Sequence, residues 1–86
     1  MNIQGKWTLI TGASRGVGRE IARAMASLGS NLILQSRALE HMAPLLEELK
    51  SKDVKLKAVA CDLESEKSIQ AMLQEIDSMG VIVDFV

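Results

Sequence analysis

Eight residues near the start of the chain have the types and spacing to hold a phosphorylated ligand: Thr11-Gly12-Ala13-Ser14-Arg15-Gly16-Val17-Gly18. Glycines stand at 12, 16 and 18. Before them lies a short β-favouring run, Thr8 to Ile10. After them Val17, Ile21, Met25 and Leu28 recur at helical spacing, with Ala22 and Ala26 beside them. Glycine accepts backbone angles that other residues avoid and lets a ligand approach the main chain. A helix starting there directs unpaired N–H groups and a partial positive charge at the turn. Strand, glycine turn and helix start together predict a pyrophosphate site. The N–H groups near Gly16 and Val17 would meet the phosphates, and Ser14 adds a hydroxyl.

The spacing is not G-x-G-x-x-G, and it is not a P-loop, because no Gly-Lys-Ser/Thr follows. It is T-G-x-x-x-G-x-G. In the form T-G-A-S-R-G-V-G it resembles the coenzyme loop of the short-chain dehydrogenase/reductase family. That resemblance implies a nicotinamide dinucleotide cofactor and gives Thr11 the task of holding the loop.

Such a cofactor must be met at two further places. In NAD sites an Asp or Glu about 20 residues past the glycines binds the ribose 2′-OH. Here Ser36-Arg37 stands instead, with no carboxylate and one cation. That suits a 2′-phosphate, hence NADP in preference to NAD, with Arg15 as a second cation. Family members that prefer NADP look similar, with one arginine in the loop and another just after strand two. Asp62-Leu63, at the end of a third strand, resembles the family's adenine contact, in which the carboxylate accepts from the 6-amino group. On residue type alone, Asp62 is also a helix-capping candidate. Cys61 reads as a packing residue, since nothing nearby in sequence would activate it.

These groups need a scaffold. The pattern predicts strands at Trp7–Ile10, Asn31–Gln35, Val54–Ala60 and from Val81 to Val86. Helices are expected near Arg15–Leu28, Leu39–Lys50 and Glu66–Met79, with Ser65 as N-cap of the last. Gly29 and Gly80 follow the first and third helices. Leu32-Ile33-Leu34 does not alternate, as expected of a parallel strand covered on both faces. The third strand carries Lys55 and Lys57, which suits a sheet edge. Pro44 falls inside the second helix. It predicts a kink or a late start, with Leu39 to Met42 as an irregular first turn. The apolar stripes are Leu39, Met42, Leu46 and Leu49 (with Leu45 beside them), then Ile69, Met72, Leu73, Ile76 and Met79. Arg19 and Arg23 read as a solvated basic face, and His41 is assigned no chemistry.

Alternating strands and helices imply α/β architecture with right-handed crossovers. The expected fold is a three-layer Rossmann-type half: a parallel sheet of about four strands, order 3-2-1-4, with three helices. Residues 1–86 would form one truncated dinucleotide-binding domain. Its ligand crevice lies above the carboxyl ends of strands one and four.

Composition agrees. The chain has 86 residues, 48 % hydrophobic and 24 % charged, which is a globular balance. A net charge of −1 gives no reason to expect nucleic acid or an anionic membrane as partner. One cysteine cannot form an internal disulfide, and Met1 to Lys6 lacks a signal-peptide core, so a cytoplasmic location is expected. The family's N-N-A-G run, catalytic Ser and Tyr-x-x-x-Lys have no match, and tyrosine is absent altogether. No catalytic residue and no metal ligand is assigned. The expected function is the NADP-binding N-terminal segment of an oxidoreductase acting on a carbonyl or alcohol, such as a 3-oxoacyl thioester. The alternative is a non-catalytic nucleotide-binding or assembly module. Strand four would offer an apolar edge for self-association.

Overall fold

A strand without alternation must be covered on both faces, and the second strand is. In the computed structural model β2 spans Asn31–Ser36, and Leu32 through Ser36 are all buried. The structure describes residues 3–85; Val86, assigned to strand four on sequence, lies outside them. Parallel to β2 run β1 (Trp7–Ile10) on one side and β3 (Leu56–Ala60) on the other. β4 (Val83–Phe85) pairs with the far side of β1, so the order is β3-β2-β1-β4 as expected. The lysine-bearing β3 is indeed at an edge. It starts at Leu56 and not at Val54, because the Lys55 N–H is taken by Asn31 Oδ1 at 2.8 Å.

Period-two alternation sorts the side chains into two cores. Leu32 and Leu34 join Ile10 beneath α1 (Gly16–Ser27) and α2 (Ala43–Leu49), where Ala22, Ala26, Leu45 and Leu49 meet them. Ile33 joins Leu9, Val59 and Cys61 on the other face, under Met72 and Ile76 of α3 (Glu66–Asp77). Each fully buried Leu or Ile contributes about 1.5–3 kcal/mol. Cys61 is a packing residue, 2 % exposed.

The stripe expected for α1 is corrected. Ala22 and Ala26 face the sheet, Ile21 and Met25 are only partly buried, and Val17 and Leu28 are 76 % and 62 % exposed. The cause is close approach. Gly18, Ala22 and Ala26 form a row of small residues one turn apart. A Cβ on Gly18 would lie 2.2 Å from the Gly12 carbonyl oxygen. The larger apolar residues are thereby moved to the flanks. α1 then closes with Gly29 N–H donating to Ala26 C=O (3.0 Å) and Ser30 N–H to Met25 C=O (3.1 Å), the Schellman pairing.

Pro44 acts by delaying the helix. Leu39–Met42 is a 3-10 turn, and α2 begins at Ala43 with Pro44 in its first turn, where a missing N–H costs nothing. Leu39 and Leu73 lie at the margins of their stripes, 50 % and 42 % exposed. Arg23 is not simply solvated. It makes a bidentate pair with Glu48 (Nε 2.6 Å, Nη2 2.7 Å) and also reaches Glu20, so it ties α1 to α2. The Arg23 guanidinium holds the Glu48 carboxyl below the ordinary carboxylate range. Arg19 is also partly enclosed, its Nε being buried with no hydrogen-bond partner among the described residues.

Candidate functional site

Parallel pairing brings the carboxyl ends of three strands to one edge of the sheet. Ile10 of β1 stands beside Leu34, and Ser36 of β2 beside Ala60 of β3. The loops that follow border an open cleft of about 630 Å³. Gly12, Ser14 and Arg15 line it from the glycine loop, Ser36 and Arg37 from the end of β2, and Asp62 and Leu63 from the segment after β3. Residues as far apart in sequence as Gly12 and Leu63 thus face one space. Thr11, Gly16, Val17 and Gly18 do not line the cleft. They sit in the turn and in the first turn of α1.

The glycine loop is left-handed at two points, Gly12 (φ +61°) and Gly16 (φ +63°). A side chain at either would be strained by the backbone and not by crowding, since a Cβ would meet nothing within 4 Å. The second turn delivers Arg15 to the N-cap of α1 in extended conformation. Its side chain makes no capping bond, and no acidic residue stands in the first turn. The positive end of the helix dipole is therefore uncompensated by α1's own side chains. Arg15 and Arg37 carry no ion pair among the described residues. An uncapped helix start flanked by two unpaired cations fits a ligand with several phosphates.

Asp62 does not cap α3. Ser65 does, with its Oγ accepting from the Ser68 N–H at 3.2 Å. Asp62 Oδ1 accepts from the Glu64 N–H (3.0 Å), and the Asp62 N–H donates to Ser68 Oγ (2.9 Å). These bonds fix the loop and leave Asp62 Oδ2 without a hydrogen bond among the described residues.

Four further residues line the cleft that were not assigned to it on sequence: Gln35, His41, Cys61 and Glu64. His41 arrives there because the 3-10 turn ahead of Pro44 follows closely on Arg37. Gln35 matters most. Its Oε1 accepts from the Gly12 N–H at 2.8 Å and its Nε2 donates to the Cys61 C=O at 2.7 Å. The resemblance gives the holding of the loop to Thr11. In this chain Gln35 holds it, and Thr11 makes no side-chain hydrogen bond among the described residues. One signal could have found it: a lone amide closing the apolar run of a strand covered on both faces.

Comparison with known proteins agrees with this geometry. The chain is 37 % identical over 89 residues to the 3-oxoacyl-(acyl-carrier-protein) reductase FabG of Aquifex aeolicus (strain VF5), matching 98 % of this chain and 36 % of that protein. It is 40 % identical over 83 residues to the very-long-chain 3-oxoacyl-CoA reductase of Meyerozyma guilliermondii, matching 93 % of this chain and 24 % of that one. The chain thus spans about a third or less of the length of these relatives. Among solved structures, a metagenomic short-chain oxidoreductase in complex with NADP superposes with a TM-score of 0.88 at 29 % identity, over 99 % of this chain and 39 % of that one. The short chain dehydrogenase family model matches residues 6–86, and the chain belongs to that family.

Proposed function

We propose that this chain is the NADP-binding segment of an oxidoreductase that moves hydride to or from a carbonyl or alcohol, with 3-oxoacyl thioesters as the first substrate class to test. One observation carries the reading. The cleft is lined by Arg37 and by Arg15, the N-cap of a helix start without a side-chain cap, and neither arginine has an acidic partner among the described residues. The NADP held by the structural neighbour and the 3-oxoacyl reductase names of the relatives support it.

Bound NADP(H) supplies or accepts the hydride. The chain's own residues grip it. The N–H groups of Gly16, Val17 and Gly18, with the Ser14 hydroxyl, take the pyrophosphate on a loop that turns at Gly12 and is held by Gln35. Arg15, Arg37 and Ser36 take the 2′-phosphate. The Asp62 carboxylate accepts from the adenine amino group, and Leu63 adds apolar surface on the same side. The sequence has no tyrosine, and no proton donor is assigned. Acid–base help is worth about 10²–10⁴-fold, so the isolated chain is expected to bind cofactor without turnover. A cytoplasmic setting is part of this reading. No helix among the described residues is long and apolar enough to cross a membrane.

A second reading, an assembly module, is favoured by the β4 edge. Ile82, just ahead of β4, and Phe85 within it are 91 % and 64 % exposed, and an edge strand invites pairing with a second copy. Sizing at rising concentration tests it.

The cofactor reading is tested by calorimetric titration of NADP and NAD. A charge-assisted hydrogen bond is worth about 1.5–3 kcal/mol, the low end applying to an open site. NADP should therefore bind roughly tenfold tighter than NAD. Arg37→Ala should remove most of that preference. Ser36→Asp should reverse it, because a carboxylate repels the phosphate and accepts from a free 2′-OH. Equal binding of the two cofactors, or an unchanged preference in Arg37→Ala, overturns the assignment.

A further inference from the structure

We propose that Gln35 is a positioning residue that locks the phosphate half of the cleft to its adenosine half, so that one dinucleotide meets both at once. The inference rests on the cofactor reading above. Gln35 is 3 % exposed at the end of a strand whose preceding residues, Leu32 to Leu34, are fully buried. A buried amide is costly unless bonded, and this one is bonded at both ends. Oε1 accepts from the Gly12 N–H and Nε2 donates to the Cys61 C=O. Gly12 belongs to the loop that meets the pyrophosphate. Cys61 immediately precedes Asp62 on the adenine side.

β1 and β3 are not neighbours, because β2 lies between them. No ladder hydrogen bond can set their loops relative to one another. The main chain ties each loop only to β2: Ala13 N–H to Gln35 C=O, and Cys61 N–H to Ser36 C=O, both at 2.9 Å. Among the described residues, Gln35 is the one side chain that hydrogen-bonds both loops. An aliphatic residue in its place would leave a loop N–H and a strand-end C=O unpaired. The two half-sites would then settle independently. A ligand touching both would lose the advantage of fixed spacing, whereas a ligand touching one would not.

The test uses the full chain and compares NADP with adenosine, which has no phosphate for the glycine loop and meets only the Asp62 side. Gln35→Met keeps the volume and removes both hydrogen bonds. NADP affinity should fall about tenfold, the effect of unmaking a buried pair, while adenosine should lose less than about threefold. Gln35→Glu supplies the rescue. Its neutral carboxyl can still accept from Gly12 and donate to Cys61; its carboxylate cannot donate, and burial raises the pH at which it ionises. NADP binding by Gln35→Glu should approach wild type near about pH 5.5 and fall by about tenfold near about pH 8.5. Wild type is the control for every other titration. Arg15 from the glycine loop, Arg37 and His41 from after β2, Cys61, Asp62 and Glu64 from after β3, and the cofactor's own phosphate are common to both proteins.

A lower melting temperature with unchanged NADP Kd would make Gln35 merely structural and overturn the proposal. Equal loss of both ligands, or a Gln35→Glu profile identical to wild type, would do the same. If Gln35→Met does not fold, the Gln35→Glu profile decides. Failure of wild type to bind NADP would instead sink the cofactor reading itself.

Discussion

α1 and α3 are both twelve residues long, yet their amino ends are built on opposite plans. α3 satisfies itself. Ser65 caps the Ser68 N–H, Glu66 stands in the first turn, Ser68 Oγ accepts from the Asp62 N–H, and Asp62 Oδ1 accepts from the Glu64 N–H. α1 has none of this. Its N-cap is Arg15, its first turn holds no acid, and its third position is Gly18, where α3 has Ser68. In α3 a side chain takes the Ser68 N–H, whereas no side chain takes an N–H at the start of α1. α1 forgoes about 1 kcal/mol of capping stability and keeps its first N–H groups free of side-chain caps, which is what the proposed cofactor reading requires of it.

The sharpest way to break the comparison is to put a side chain where α1 touches its own loop. Gly18→Ala places a Cβ against the Gly12 carbonyl oxygen. Overpacking of this kind costs about 1–3 kcal/mol, and a backbone neighbour cannot swing aside, so the upper end is expected in urea unfolding. The matching change in α3, Ser68→Ala, loses one hydrogen bond and should cost about 1 kcal/mol. Equal costs would show that the close approach at Gly18 carries no energy.

Next in size is making α1 resemble α3. Arg15→Asp introduces a cap and an anion at the helix start. The unliganded protein should gain about 0.5–1 kcal/mol in thermal or urea unfolding. NADP should bind at least roughly tenfold more weakly by calorimetry, since one phosphate partner is replaced by a like charge. Stabilisation together with undiminished binding would contradict the anion-site reading.

Making α3 resemble α1 has a smaller effect and a different readout. Ser65→Ala removes the cap and should cost about 1 kcal/mol, with NADP affinity unchanged. A loss of affinity would mean that the α3 start also serves the ligand.

The smallest effect lies away from both helix starts. Glu48 is held below the ordinary carboxylate range by the Arg23 guanidinium. A depressed folded-state pKa contributes stability at pH above the unfolded value and loses it as pH falls through the folded one. Glu48→Gln should therefore melt slightly below wild type at neutral pH, and the two should converge in acid. The pair is exposed, so the gap should shrink in high salt. A gap that persists in acid would assign the effect to packing.

Strand and helix positions were legible in the sequence because short-range rules govern them, strand order because right-handed crossovers restrict it, and Pro44 left only a kink or a late start for α2. Apolar runs, glycines past helix ends and Pro44 act over one or two turns of chain. The clustering of Ser14, Arg15, Ser36, Arg37 and Asp62 at one edge was legible too, because a parallel sheet gathers the residues after each strand on the same side. What was misread involved competition between neighbours. Val17 and Leu28 share the helical period, but Ala22 and Ala26 take the buried face and the approach of Gly18 to the Gly12 backbone leaves larger residues on the flanks. At α3 the cap was read correctly: Ser65 takes the Ser68 N–H, and Asp62, a further candidate on residue type, bonds the Glu64 N–H instead.

By itself, the sequence determined which groups are available: three glycines at a strand-to-helix turn, two arginines without a ribose-binding carboxylate, and four strands that alternate with helices. Tertiary structure alone decided how those groups are held. Gln35 finds its partners 23 and 26 residues away, at Gly12 and Cys61, and Arg23 finds Glu48 at a separation of 25. No local propensity encodes such pairs. They exist because crossover connections return the chain to the same edge of the sheet, and because a buried amide must take whatever donor and acceptor that packing brings within reach.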